Sequence, residues 1–395
     1  MLDLFANSNT GYFDAGLTGE RLLPDLLTRE QFDRAENEVS SWEGYEKTPL
    51  LSFGPLAADL GLGEVLYKHE GDRFGLGSFK ALGGAYAVMC VLQREISKRI
   101  GKDVSLAKVR DRAFPSEAKD ITVISATDGN HGRSVAWGAA RCGVSCRIYV
   151  HAEVSEHRVD AMRALGADVI RIDGDYDATV EQTRLDAEQN GWLIVSDTSW
   201  TGYTQTPIEV MAGYGVMARE ITRDLATPPT HVFLQGGVGG LAAAVAAVFR
   251  QDWGTEAPKV YVVEPELAPC LFESSKAGRA TAVQIAEETI MAGLSCGEPS
   301  EVAWSVLASQ TSGFLTIPEE VVAPTVRMLA SFEPESARVQ AGESGVAGLC
   351  GLICAATQPN LRAALGLNES SRVVLIGSEG VTDPVIYDQI IKGEI

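Results

Sequence analysis

The stretch HEGDRFGLGSFKALGGAYAV, residues 69–88, sets one lysine, Lys80, between a glycine-rich approach (Gly71, Gly75, Gly77) and a small-residue exit (Ala81, Gly83, Gly84, Ala85). A lysine on a solvated helix face needs no such neighbours. Glycine is used where the chain turns tightly or where something comes close to the backbone. The run therefore reads either as a loop entering a helix with an incidental surface lysine, or as a lysine beside a planar group that lies against the turn.

Outward from Lys80, short Val/Ile-rich runs alternate with helical patterns. ITVISAT (121–127) precedes a helix over 131–141; SCRIYV (145–150), a helix over 155–166, ADVIRID (167–173) and WLIVSD (192–197) follow. A long helical pattern over 207–225 leads to THVFLQ (230–235), LAAAVAAVFRQ (241–251) and KVYVVEPE (259–266). Continuous apolar strands separated by helices predict an α/β fold with a mostly parallel sheet covered on both faces. In such sheets ligands bind beyond the carboxyl ends of the strands, which singles out the loops after Ser125, Asp197, Leu234 and Ile376. The charged segment 101–120 breaks the rhythm and reads as a surface insertion.

The 395 residues are enough for two domains. A formal net charge of −20 argues against nucleic acid and against an anionic membrane surface as partners, since both would be repelled. The longest apolar runs, such as LAAAVAAVF (241–249), are too short to span a bilayer. The opening MLDLFANSNTGYFD has neither the basic start nor the apolar run of a signal peptide, so a cytoplasmic protein is expected. The seven cysteines form no C-x-x-C pair and suggest reduced thiols, with Cys350 and Cys354 in the core. The five histidines show no metal-ligand spacing, and no metal is expected.

The first candidate loop, Thr127-Asp128-Gly129-Asn130-His131, runs from a strand into a helix and offers N–H groups suited to a carboxylate. Asp-Gly and Asn are also ordinary turn and cap residues. The second, Gly236-Gly237-Val238-Gly239-Gly240, leaves main-chain N–H groups uncovered, as in phosphate cradles. A competitor arises here: Gly237 to Ala242 satisfies the dinucleotide pattern G-x-G-x-x-G/A, and Glu264 lies where a ribose-binding acid would belong, as in a nicotinamide-dependent dehydrogenase. That alternative leaves Lys80 and the Asp-Gly-Asn-His loop unexplained. The third and fourth loops, around Asp197 and Ser378, are expected to bring small polar side chains to the same edge of the sheet.

In this order, Ser78-Phe79-Lys80, Gly-Asn-His, the glycine-rich loop and Gly377-Ser378-Glu379-Gly380 resemble the fold-type II (tryptophan synthase β-like) pyridoxal-phosphate enzymes. The likeness runs from Lys80 to Gly380. It is greatest to the diaminopropionate ammonia-lyase family, on RFGLGSFKALGGAYA (73–87), ATDGNHGRSVAWGA (126–139), DTSWTGYTQTP (197–207), TIMAGLSCGEPSEVAW (289–304) and GESGVAG (342–348). Dehydratases of this fold resemble S-F-K-x-R-G and S-S-G-N-H, where this chain has Leu82 and Asp128. A carboxylate at 128 suits a cationic β-ammonium leaving group better than a hydroxyl.

The resemblance implies two open, twisted, mostly parallel sheets flanked by helices, with the cofactor in the cleft between a large domain (1–86 and 218–395) and a smaller one (87–217). It implies pyridoxal 5'-phosphate held covalently by Lys80 beside Phe79, with its phosphate on Gly236, Gly237, Val238, Gly239 and Gly240. Asn130 would meet its ring hydroxyl and Ser378 its pyridine nitrogen. Thr127, Asp128, Gly129 and His131 would hold the substrate, and Lys80, Asp128 and Asp197 would move protons. The implied reaction is elimination on 2,3-diaminopropionate, of one or both stereoisomers, by a homodimer. Serine, threonine or 3-hydroxyaspartate remain alternative substrates.

Overall fold

The structure, a computed structural model, describes residues 2–17, 21–127, 129–174, 176–331 and 339–395. Among them lie strands β1 (Gly11–Asp14), β2 (Leu50–Ser52), β3 (Glu64–His69), β4 (Thr122–Ala126), β5 (Ser145–Val150), β6 (Asp168–Arg171), β7 (Leu193–Ile194), β8 (His231–Gln235), β9 (Lys259–Pro265), β10 (Thr311–Ile317) and β11 (Arg372–Gly377). Two compact units form: Met1–Arg29, Lys47–Ser78 and Met217–Ile395 make one, Glu30–Glu46 and Phe79–Val216 the other.

The first unit carries a seven-stranded sheet in the order β1-β10-β9-β8-β11-β3-β2, parallel except at its two edge strands. Its central strands HVFLQ and RVVLIG are almost wholly buried, the pattern of parallel strands covered on both faces. The helix Ala347–Thr357 covers part of that sheet and takes Cys350 and Cys354 into the core. Strand order reverses at β8, with β9 and β10 on one side and β11 and β3 on the other. The carboxyl ends of β8 and β11 therefore open at a topological switch point.

The second unit holds four parallel strands in the order β6-β5-β4-β7, with its own reversal at β4. The helix Lys80–Ile100 packs closely on the helices Asn130–Cys142 and Gln205–Asp224. Glycine permits this. A Cβ on Gly84 would lie 1.8 Å from the Ser134 Oγ, and one on Gly213 would lie 2.2 Å from the Leu82 carbonyl oxygen. The small residues after Lys80 are thus used for helix packing, which corrects the expectation that they make room for a planar group. Segment 101–120 forms the short helices Leu106–Arg110 and Pro115–Ala118, with Val104, Leu106 and Val109 buried.

In the first unit the loop after β3 is braced by a buried ionic network. Arg73 donates to both Glu70 carboxylate oxygens at 2.8 Å and to Glu220 at 2.9 and 2.8 Å. Lys68 Nζ meets Glu220 at 2.6 Å and the Thr48 carbonyl at 2.7 Å. Lys68, Glu70, Arg73 and Glu220 are 0–2% exposed, so two cations and two anions neutralise each other out of water. Burial alone would raise the Glu220 carboxyl, but Arg73 and Lys68 hold it below its ordinary value. The network flanks a tight turn in which Phe74, a non-glycine residue, takes φ +54°. Arg73→Ala would leave two buried carboxylates short of a counter-ion. The expected loss is about 3–5 kcal/mol of stability, read from urea unfolding. Arg73→Lys should recover only part of it, since an ammonium cannot make the forked contacts. An unchanged Arg73→Ala midpoint would refute this account of the loop.

Candidate active site

In the second unit the reversal at β4 puts the loops after β4 and β7 side by side. Thr127 Oγ1 accepts the N–H groups of Gly129 and Gly132, at 3.0 Å each, and so fixes the start of the Asn130–Cys142 helix. The Gly129 N–H is thereby directed at Thr127. Asp128 lies outside the described residues. Asn130 is half-buried at the first helical position. His131, 4% exposed, turns inward; its Nε2–H donates to the Val195 carbonyl at 3.0 Å, which leaves Nδ1 3.8 Å from Asp197 Oδ2.

The loop after β7 is held by Tyr203, whose hydroxyl donates to the Ile194 carbonyl at 2.9 Å and accepts the Ser196 N–H at 3.1 Å. Asp197 follows, and its carboxylate pairs with the Lys80 ammonium. The Lys80 Nζ lies 5.6 Å from the ring centre of Phe79 and 5.9 Å from that of Tyr214, two rings packed 4.6 Å apart. Burial pushes the Asp197 carboxyl up, but His131, Lys80 and the Lys80 hydrogen bond outweigh it and hold the group well below the usual carboxylate range. Burial also lowers His131 below its ordinary value, with Lys80 adding to that and Asp197 opposing it. Lys80, which is also hydrogen-bonded to the carboxylate, contributes to keeping Asp197 ionised. Lys80, His131 and Asp197 make a compact group of titratable side chains. Tyr214 was not legible, because it lies 134 residues beyond Lys80 in an ordinary helical pattern.

In the first unit β8 runs directly into the glycine loop. Gly239 takes φ +96° and the Gly240–Trp253 helix begins without a side-chain cap. The Gly236 N–H bonds to the Val263 carbonyl at 2.8 Å. Among the described residues the N–H groups of Gly237, Val238, Gly239 and Gly240 find no protein acceptor. A cluster of N–H donors at a helix start is the donor set a phosphate group fits. Across the switch point, Ser378 follows β11 and is 5% exposed, with its Oγ 3.2 Å from Gln235 Nε2. Its loop is tied down by the Ser344 N–H on Glu379 at 3.0 Å and the Gly380 N–H on the Gly77 carbonyl at 2.9 Å. Gln235 was overlooked in the sequence; the signal was a polar residue closing an otherwise apolar strand.

The nicotinamide alternative fails on Glu264. That residue is 0% exposed and spends its carboxylate on the N–H groups of Leu271 (2.9 Å) and Phe272 (2.7 Å), capping the Cys270–Ala277 helix. Burial pushes it up to about 8 despite those two bonds, and no ribose could reach it. Neither Cys270 nor Cys296 is in a disulfide. No helix among the described residues is long and apolar enough to cross a membrane.

Residues 42–379 match the family model described as pyridoxal-phosphate dependent enzyme. The chain is 36% identical over 372 residues to the diaminopropionate ammonia-lyase of Escherichia coli (strain K12), covering 93% of this chain and 92% of that protein. It is 36% identical over 357 residues to the diaminopropionate ammonia-lyase of Salmonella typhimurium, covering 88% of each. The crystal structure of the Escherichia coli diaminopropionate ammonia lyase in complex with an aminoacrylate-PLP azomethine reaction intermediate superposes with TM-score 0.88 at 34% identity, over 98% of both chains.

Proposed function

We infer the function from one premise: the chain belongs to the pyridoxal-phosphate-dependent enzyme family and, within it, to the diaminopropionate ammonia-lyases. The reaction is β-elimination on 2,3-diaminopropionate, giving pyruvate and two ammonia molecules with consumption of one water. The observation that supports the reading is the Lys80–Asp197 pair beside His131, a lysine with a proton acceptor next to it in the second unit.

Pyridoxal phosphate, when bound, supplies an electron sink that makes the substrate Cα–H acidic. Lys80 would hold the cofactor and Phe79 would flank it, while the open N–H groups of Gly237 to Gly240, with Gly236 shaping the turn, would take its phosphate. Asn130 would meet its ring hydroxyl and Ser378 its pyridine nitrogen. The fit rests on the donor set of the glycine loop and on a lysine whose ion-pair partner is Asp197. Asp197 would act as a base on Cα once Lys80 is no longer a cation beside it. Thr127, Gly129 and His131 would lie beside the substrate carboxylate. Asp128 would face the departing β-ammonium. The protein is proposed to act as a homodimer, as the family resemblance implies, and in the cytoplasm, where its seven cysteines would stay reduced.

Product counting separates this substrate from the dehydratase alternatives. With 2,3-diaminopropionate the protein should release two ammonia per pyruvate, and its kcat/KM should exceed that for serine or threonine by roughly 100-fold or more, as expected when a site built for one leaving group meets another. A preference for serine, threonine or 3-hydroxyaspartate, with one ammonia released per keto acid, would replace the proposed substrate while leaving the cofactor assignment intact.

A further inference from the structure

We propose that Tyr203 is a positioning residue: its hydroxyl takes the place of a missing strand partner at the outer edge of β7 and so fixes the backbone from which Asp197 reaches Lys80. The role matters for turnover only if Asp197 moves the substrate proton, so it rests on the proposed reading of Asp197.

β7 is the last strand in the order β6-β5-β4-β7 and pairs with β4 at Leu193 and Ile194. One further ladder bond, from the Val195 N–H to the Ile124 carbonyl at 2.9 Å, continues its inner side. The polar groups of alternate residues point to opposite sides of a strand, so the Ile194 carbonyl and the Ser196 N–H face outward. No strand lies there among the described residues. In a wider parallel sheet one residue of a neighbouring strand would serve both groups, donating its N–H to the carbonyl and accepting from the N–H. The Tyr203 hydroxyl does both with a single oxygen: it donates to the Ile194 carbonyl at 2.9 Å and accepts the Ser196 N–H at 3.1 Å. Neither polarity can be reversed, since a carbonyl only accepts and an N–H only donates.

The tyrosine is itself held still. Trp200 and Tyr203 exchange backbone hydrogen bonds of 3.3 and 2.8 Å across a turn in which Gly202 takes φ +88°. Their rings stack with centres 4.2 Å apart and planes inclined by 13°, and the Arg184 guanidinium lies 5.0 Å from the Trp200 ring centre. On the inner side of the same segment, His131 Nε2 bonds to the Val195 carbonyl at 3.0 Å. Ile194, Val195 and Ser196 are thus fixed in turn. Asp197 is the next residue, with its carboxylate on the Lys80 ammonium. Without the hydroxyl, the last outward-facing groups before Asp197 lose their only protein partner, and the carboxylate is free to shift. A displacement of about 1 Å at a proton-transferring group costs roughly 100-fold in rate. Tyr203 therefore acts through the position of Asp197 and not on the substrate.

The test is a double-mutant cycle with Tyr203→Phe, Asp197→Asn and the double variant, on full-length protein supplied with pyridoxal phosphate. Phenylalanine keeps the stacked ring and removes only the hydroxyl. With 2,3-diaminopropionate, Tyr203→Phe should lower kcat by about 10- to 100-fold while KM stays within about threefold. No further loss should appear when it is added to Asp197→Asn. Amide hydrogen exchange, followed by mass spectrometry with and without pyridoxal phosphate, gives a readout independent of turnover. The Ser196 amide should exchange about tenfold faster or more in Tyr203→Phe, as for the loss of one hydrogen bond. Trp200→Leu, which takes away the stacked ring but keeps the hydroxyl, serves in the same cycle if Tyr203→Phe does not unfold cooperatively. Equal kcat losses in both backgrounds, wild-type kcat despite faster exchange, or unchanged exchange at Ser196 would overturn the proposal while the reading of the site stood. A wild-type protein that does not turn over 2,3-diaminopropionate would remove that reading and the proposal with it.

Discussion

Lys80→Ala protein, supplied with excess pyridoxal phosphate, is expected to show no yellow absorption band that borohydride abolishes, and to eliminate 2,3-diaminopropionate at least roughly 1,000-fold more slowly than wild type. The magnitude follows from losing two roles at once, the covalent hold on the cofactor and a proton-transfer group beside Asp197. Folding should be little affected. Lys80 begins its helix, its side chain is 20% exposed, and the packing of that helix is made further along at Gly83, Gly84 and Ala85. Removing Lys80 leaves the Asp197 carboxylate without the cation hydrogen-bonded to it, so Lys80→Ala should be compared with Lys80→Arg. Arginine restores the charge but cannot form the covalent link. Should either variant retain the yellow band and near-wild-type turnover, another residue holds the cofactor.

Asp197→Asn is expected to reduce kcat by roughly 100- to 10,000-fold, the range for loss of a general base, with a smaller change in KM. The carboxylate is held ionised at neutral pH by Lys80, so the isosteric amide removes a charge and a proton acceptor while keeping the shape. If Asp128 and Asp197 serve opposite faces of the substrate, Asp197→Asn and Asp128→Asn should each depress the reaction of a different enantiomer. Assaying D- and L-2,3-diaminopropionate with both variants decides this. Equal losses on both enantiomers would count against two bases on two faces and in favour of a shared role, such as keeping Lys80 charged.

The parallel architecture was legible because its strands are continuous apolar runs. SCRIYV over 145–150 and HVFLQ over 231–235 are strands, and the helix expected over 131–141 extends only to Asn130–Cys142. β7 was overestimated. WLIVSD pairs only at Leu193–Ile194, because the chain then leaves the sheet to place Asp197. The four loops were also located correctly as strand-to-helix turns. What sequence could not give was their distribution: the loops after β4 and β7 belong to one sheet and those after β8 and β11 to another. Strand order is set by non-local pairing, and periodicity carries no record of it. The small residues after Lys80 were misread for a related reason, since glycine marks a close approach without saying what approaches. Gln235 and Tyr214 were missed because each matters only through a partner more than 100 residues away.

The assignment of Lys80 can be tested directly on wild-type protein. Pyridoxal phosphate is bound, the complex is reduced with borohydride, and the digested protein is searched by mass spectrometry for a peptide carrying the pyridoxyl group. A single modified peptide with the label on Lys80 is the result expected. Label on any other lysine, or none while the protein still turns over 2,3-diaminopropionate, would contradict the account of this site.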